Sequence, residues 1–187
     1  MKIYRIVADV NQYQGFSVDG DQVWQGDTLT FDCTPKSSKW AAPSVYVLHP
    51  KLRRGNFFNL CPGTLVLDGQ ATDVLRDMLE MSGEMLPLSC KGEQFTVLNV
   101  TDCVNVLDET KTKWVYGKST GARIRIERYA FHPGRLTETP LFKIPETCKS
   151  EILTFEGLKD PDDEFKPRVE RLGLKGLIFE EVWDSEK

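Results

Sequence analysis

The sequence predicts an α+β fold: a mixed, largely antiparallel sheet carrying two main amphipathic helices, over about 70–82 and 164–173. Three observations predict it. Apolar residues recur at helical spacing in two separate stretches, short runs of β-branched and aromatic residues fill much of the remainder, and glycine-containing turns separate those runs. With 187 residues, the chain fits a single domain over 1–187 and is long enough to bury a core without disulfides or metals.

Residues 1–10, MKIYRIVADV, read as a first strand, because they lack the apolar centre and small-residue cleavage site of a signal peptide. Residues 11–31 read as polar turns around Trp24 and Phe31. From Cys33 to Pro43, prolines and serines interrupt any periodicity and predict a surface loop. Ser44 to Leu48 is a short strand, followed by a basic turn with Lys51, Arg53 and Arg54. Residues 1–60 are thus the less regular part.

From Leu65 the order is clearer. LVLD ends a strand; Ala71, Val74, Leu75, Met78 and Leu79 then recur at helical spacing. Asp68 or Thr72 is placed to cap this helix, and Ser82-Gly83 to stop it through a left-handed glycine. Glu84 to Leu88 begins a strand that turns back at Lys91-Gly92-Glu93. The next run, FTVLNVTDCVNVLD from Phe95 to Asp108, fits period two in its first half and a helical stripe in its second. It is read as a buried strand to Val100, then a turn or short helical segment carrying Asp102 and Asp108.

Ala122 to Phe131 alternates Ile124 and Ile126 against Arg123, Arg125 and Glu127, the pattern of a half-buried strand with a charged outer face. Pro133 to Pro140 is loop, and LFKI a short strand closed by Pro145. Near the C-terminus, Ile152 to Phe155 is strand-like and the acidic run DPDDE precedes Phe165, Val169 and Leu172 at helical spacing. Pro167 is tolerated only in the first turn, Gly173 stops the helix, and Leu177 to Val182 is the last strand. Both helical units run strand, acidic start, helix, glycine, strand, which is the pattern of a strand-helix-strand pseudo-repeat.

Composition narrows the function classes. Charged residues make up 28% and apolar residues 40%, the balance of a folded globular chain. A net charge of −4 and pI near 5.3 argue against a general binder of nucleic acid. No run reaches the roughly 18 apolar residues that span a bilayer. Five scattered cysteines, Cys33, Cys61, Cys90, Cys103 and Cys148, without a C-x-x-C pair, fit reduced thiols in the cytoplasm.

Chemistry-bearing motifs are weak. His49 and His132 each precede a proline, and no spacing suggests a metal, a cofactor or a catalytic residue. GKST at Gly117 to Thr120 lacks the first glycine of a phosphate loop and reads as a polar turn. DPDDE lacks the glycine and distal glutamate of a calcium loop. Asp102 and Asp108 fit backbone partners better than an acid-base pair, with Asn99 and Asn105 beside them. Among the tryptophans, Trp183 belongs to a strand, whereas Trp40 and Trp114 lie among Lys, Ser and Thr. With Tyr116 they are the candidates for a partner-binding surface.

The order LVLDG, VLRDMLE, MLPL, VLNVTDCVNVLD and EGLKD, then RVERLGLKGLIFEEVW, resembles a bacterial immunity-protein family of polymorphic toxin systems, formerly a domain of unknown function. The resemblance spans 65–183. Its landmarks include Asn99, Asp102, Asp108, Gly173 and Gly176. It implies a cytoplasmic protein that binds a cognate protein toxin, encoded by the adjacent gene, and neutralises it by occlusion, without catalysis or a membrane. Self-association is compatible with it. Two alternatives stand beside this reading: a small hydrolase using Asp102 with His132 or Cys103, and a regulatory or scaffolding domain whose Arg123, Arg125 and Arg128 face meets nucleic acid.

Overall fold

The computed structural model describes residues 1–20 and 29–187, so Trp24 lies outside the described residues. The α+β expectation holds. The described residues form twelve strands and three α-helices, and every strand pair is antiparallel.

The first half of the chain runs β1 (Lys2–Ala8), β2 (Gly15–Val18), β3 (Val45–Leu48), β4 (Phe57–Phe58), β5 (Thr64–Leu67), α1 (Gly69–Val74), α2 (Arg76–Ser82) and β6 (Gly83–Cys90). The second runs β7 (Glu93–Val100), β8 (Lys113–Tyr116), β9 (Arg123–Arg128), β10 (Leu141–Phe142), β11 (Ile152–Glu156), α3 (Phe165–Arg171) and β12 (Leu177–Asp184). Two four-stranded sheets result, ordered β4-β5-β7-β6 and β10-β11-β1-β12. Each half therefore supplies a first strand, a hairpin, a two-residue edge strand, a long strand, a helical crossover and a returning strand. The first strand of each half sits in the sheet of the other, antiparallel between the long and returning strands. The pseudo-repeat predicted for the two helical units thus extends over the whole chain, with its first strands exchanged.

Three cores follow from this stacking. Alternate residues of the two sheets, Leu65, Leu67, Leu98 and Val100 on one and Ile6 and Ile152 on the other, enclose the helices with Leu75, Met78, Leu79, Phe165 and Val169. The opposite face of the first sheet is covered by the β2–β3 hairpin, where Phe16, Phe58 and Phe95 meet edge to face or tilted. That of the second sheet packs Ile3, Leu153 and Phe155 against Val104, Val106, Ile126 and Phe131. Burying both faces of a sheet explains why Leu65, Val66 and Leu67 of β5 are consecutive apolar residues.

Several expectations are corrected. Residues 11–31 contain β2, whose Phe16 is buried, so they are more than polar turns. The helix over 70–82 is divided at Leu75, whose ψ of 6° departs from helical values although Leu79 N–H still donates to its carbonyl. Asp68 is the cap, accepting from Ala71 N at 2.8 Å. Gly83 is not a left-handed stop: at φ 164° it is extended, and a Cβ there would lie 2.0 Å from Asn99 O. Close approach of β6 to β7, not conformational freedom, requires glycine at this position.

Gly173 does behave as predicted. At φ 66° it ends α3 with Leu174 N–H on Val169 O and Gly173 N–H on Glu170 O, the paired bonds of a Schellman motif. DPDDE serves a different element from the one expected. Asp160 caps a short 3-10 turn over Pro161–Asp163, and α3 carries no acid in its first turn. The segment after Val100 is neither turn nor helix up to Asp108. It runs extended, bridging Lys143 at Cys103 and Phe131 at Leu107, because Val104, Val106 and Leu107 are drawn into the core against the second sheet. Ile124, expected half-buried, is 66% exposed.

Candidate functional site

Of the predicted surface residues, Trp114 and Tyr116 come together on β8, while Trp40 lies far along the fold against the first sheet. The Trp40 indole donates to Pro87 O at 2.8 Å and its ring centroid is 6.2 Å from that of Phe31, so it closes the edge of a core. Tyr116 is 53% exposed. Trp114 packs its ring against the core under the second sheet and under the Arg123 guanidinium, 4.6 Å from the ring centroid.

The β8–β9 hairpin positions these side chains. Trp114 faces Ile126 and Tyr116 faces Arg123, with register shifts on both sides of the Trp114–Val115 pair. Shifts of this kind increase twist and re-aim side chains. From Lys113 to Arg128 the hairpin holds Lys113, Lys118, Arg123, Arg125 and Arg128 against one acid, Glu127, in a chain whose net charge is −4. Arg123 is held by Glu109 at 2.8 Å, whereas Arg125 and Arg128 have no ion-pair partner among the described residues.

Along β9 runs a groove of about 710 Å³, lined by every residue from Arg123 to Tyr129 and closed by Glu146, Ser150 and Val182. Among the described residues, two buried polar atoms at its wall have no hydrogen-bond partner, Trp114 Nε1 and Glu146 Oε2. Burial pushes the Glu146 carboxyl above its ordinary pKa. The floor is already paired: Glu151 accepts from Arg5 at 2.7 Å and from Tyr129 Oη at 2.5 Å. Cys148 and Lys149 beside the groove hold positive φ of 52° and 57°, a conformation non-glycine residues rarely adopt.

The predicted landmarks occupy structural positions. Asn99 is fully buried and donates to Thr34 O and Glu84 Oε2, each at 2.9 Å. Burial alone would raise the Glu84 carboxyl, but bonds from Ser37, Lys36 N–H and Asn99 outweigh it and hold the pKa at about 2. Asp102 accepts from the Thr137 hydroxyl at 2.8 Å, and Asp108 from Thr110 N and Oγ1, ordering the turn that leads to β8. The hydrolase reading pairs His132 with Asp102, whereas the carboxylate within ion-pair distance of His132 is that of Asp108, with Nε2 3.9 Å from Oδ1. Gly176, at φ 110°, leaves room for the Phe57 carbonyl, which a Cβ would approach to 2.5 Å.

Two buried ions escaped the sequence reading. Lys143 is wholly inaccessible, donates to Phe31 O at 2.6 Å, and burial lowers its pKa to about 8 in the company of Cys33, Cys61 and Cys103. Glu164, 1% exposed, turns away from α3 to accept from Gly157, Leu158 and Lys159 N–H. The signal for Lys143 was a lone cation inside LFKI; Glu164, ending an acidic run, gave none. Among the described residues, no cluster of His, Cys, Asp and Glu could hold a metal ion, and no helix is long and apolar enough to cross a membrane. Compared with protein-family models and with curated proteins, the chain matches none.

Proposed function

We propose that this chain is a binding protein of the immunity type, which occludes a cognate toxin through the β8–β9 hairpin and the groove beside it. One observation carries the reading: a basic, solvent-facing hairpin on an acidic chain, with Tyr116 and Ile124 exposed beside two buried polar atoms that lack partners among the described residues. An unpaired buried donor or acceptor costs about 1–3 kcal/mol, so the groove wall carries a strain that the rest of the fold offsets. Exposed aromatic and arginine side chains around a half-buried Trp are the composition of interface hot spots. The likeness of residues 65–183 to the immunity family supplies the kind of partner.

The test is co-expression with the product of the adjacent upstream gene. Growth should be rescued and the two proteins should copurify. A Tyr116→Ala, Ile124→Ala variant should lose both while its circular dichroism and melting stay close to the parent, because both side chains are exposed. Absence of a complex together with absence of rescue by the parent chain would defeat the proposal. Nucleic-acid binding by the arginine face predicts instead a steep loss of affinity with salt.

A further inference from the structure

We infer that the outer edge of β9 accepts an added strand from the bound protein, an extended segment presenting carboxylates to Arg125 and Arg128. This rests on the reading of the chain as a protein-binding module and names the chemistry its groove selects. The groove is lined by consecutive residues of β9, odd and even alike, as happens when a slot runs along the edge of a strand and not over one of its faces. Among the described residues β9 pairs only with β8, so its other edge offers N–H and C=O groups at ladder spacing.

Charge decides which strand fits. Two β9 edges brought together would place arginines near arginines, and like charges opposite each other in a ladder are destabilising. The edge therefore disfavours a second copy of itself and favours an acidic strand. Of the four glutamates lining the groove, Glu151 is bound by Arg5 and Glu181 by Lys2 and Lys187, and burial disfavours the charge on Glu146, so Arg125 and Arg128 outweigh Glu127.

The experiment is fluorescence anisotropy with the full chain and four dye-labelled probes: an octapeptide alternating Glu and Val, the same peptide N-methylated at alternate backbone nitrogens, an octapeptide alternating Lys and Val, and oligouridine. The Glu/Val peptide should bind. N-methylation, which keeps the charge but removes ladder donors, should weaken it about tenfold or more, as should the Arg125→Glu, Arg128→Glu double variant. Both arginines are exposed, so the double variant should melt with the parent. Equal binding of the N-methylated or Lys/Val peptide, tighter binding of oligouridine, or no binding of the Glu/Val peptide would overturn the inference. Rescue of growth without peptide binding would remove strand addition at the β9 edge and leave the immunity reading standing. Peptide binding without rescue would do the reverse.

Discussion

Replacing Lys143 with methionine tests how a buried cation is tolerated here. Its amine is wholly inaccessible, and burial lowers its pKa from 10.5 to about 8. Between these values the unfolded chain holds the proton more often than the folded one, so stability rises with pH across that window. Taking the two values at face, the native state gains about 1.3 kcal/mol between pH 7 and pH 9 from this group alone. Methionine has similar length and no charge, so Lys143→Met should lose that gain. The lost bond to Phe31 O moves the whole curve of the variant without changing its slope. Cys33 and Cys61, whose pKa values burial pushes up to about 11, act in the opposite sense. Their unfolded forms lose protons first above pH 9, which lowers stability in both proteins, and the charge of Lys143 itself acts on both thiols, so the comparison stops there. Urea unfolding of both proteins at pH 7, 8 and 9 gives the difference directly. Parallel curves would refute the argument and mean that Lys143 is solvated or paired as well in the folded chain as in the unfolded one.

Three further outcomes follow from the geometry. Gly83→Ala should destabilise by about 1–3 kcal/mol in chemical denaturation, since its Cβ would overlap the Asn99 carbonyl on a neighbouring strand; an unchanged midpoint would show that β6 shifts freely. Glu164→Ala should cost about 3 kcal/mol by leaving three N–H groups without their acceptor, with Glu164→Gln intermediate; equal stability of all three proteins would mean that water replaces the carboxylate. A chain cut in the turn at Lys91-Gly92 should yield fragments that fold only when mixed, because each sheet takes its inner strand from the other fragment. A folded monomer of either fragment, seen by size exclusion and circular dichroism, would contradict this.

Local pattern located most elements because it depends on neighbours a few residues apart. Asp68 before an apolar helical stripe, Gly173 after one, and Lys91-Gly92 between two strands each act through adjacent backbone. The Lys91-Gly92 turn has positive φ at both residues, as a two-residue hairpin requires. Exchange of β1 and β7 between sheets was illegible, since an apolar strand records that it is buried and not beside which partner. For the same reason Ile124 was misjudged. Alternation from Ile124 to Arg128 fits a strand packed throughout on a core, but the hairpin projects past it, and only Ile126 is covered. The groove was half legible: Trp114, Tyr116 and the arginines stood out by type, whereas Glu146 and Glu151, brought in by the loop before β11, did not.

The exchange of first strands also sets an order of events during synthesis. β7 completes the first sheet as soon as residues 93–100 emerge, directly after the strand it pairs with. β1 is made first, yet its partners are β11 and β12, so it waits for nearly the whole chain. At about 5–20 residues per second that delay is on the order of 8–30 s. During it KIYRIVA is an unpaired strand with both edges open, the kind of segment that recruits other chains. Lys2 and Arg5 put one charge on each of its faces, and in the finished protein each is neutralised by a glutamate of β12, Glu181 and Glu180. The same two charges thus guard the nascent strand and later fasten it.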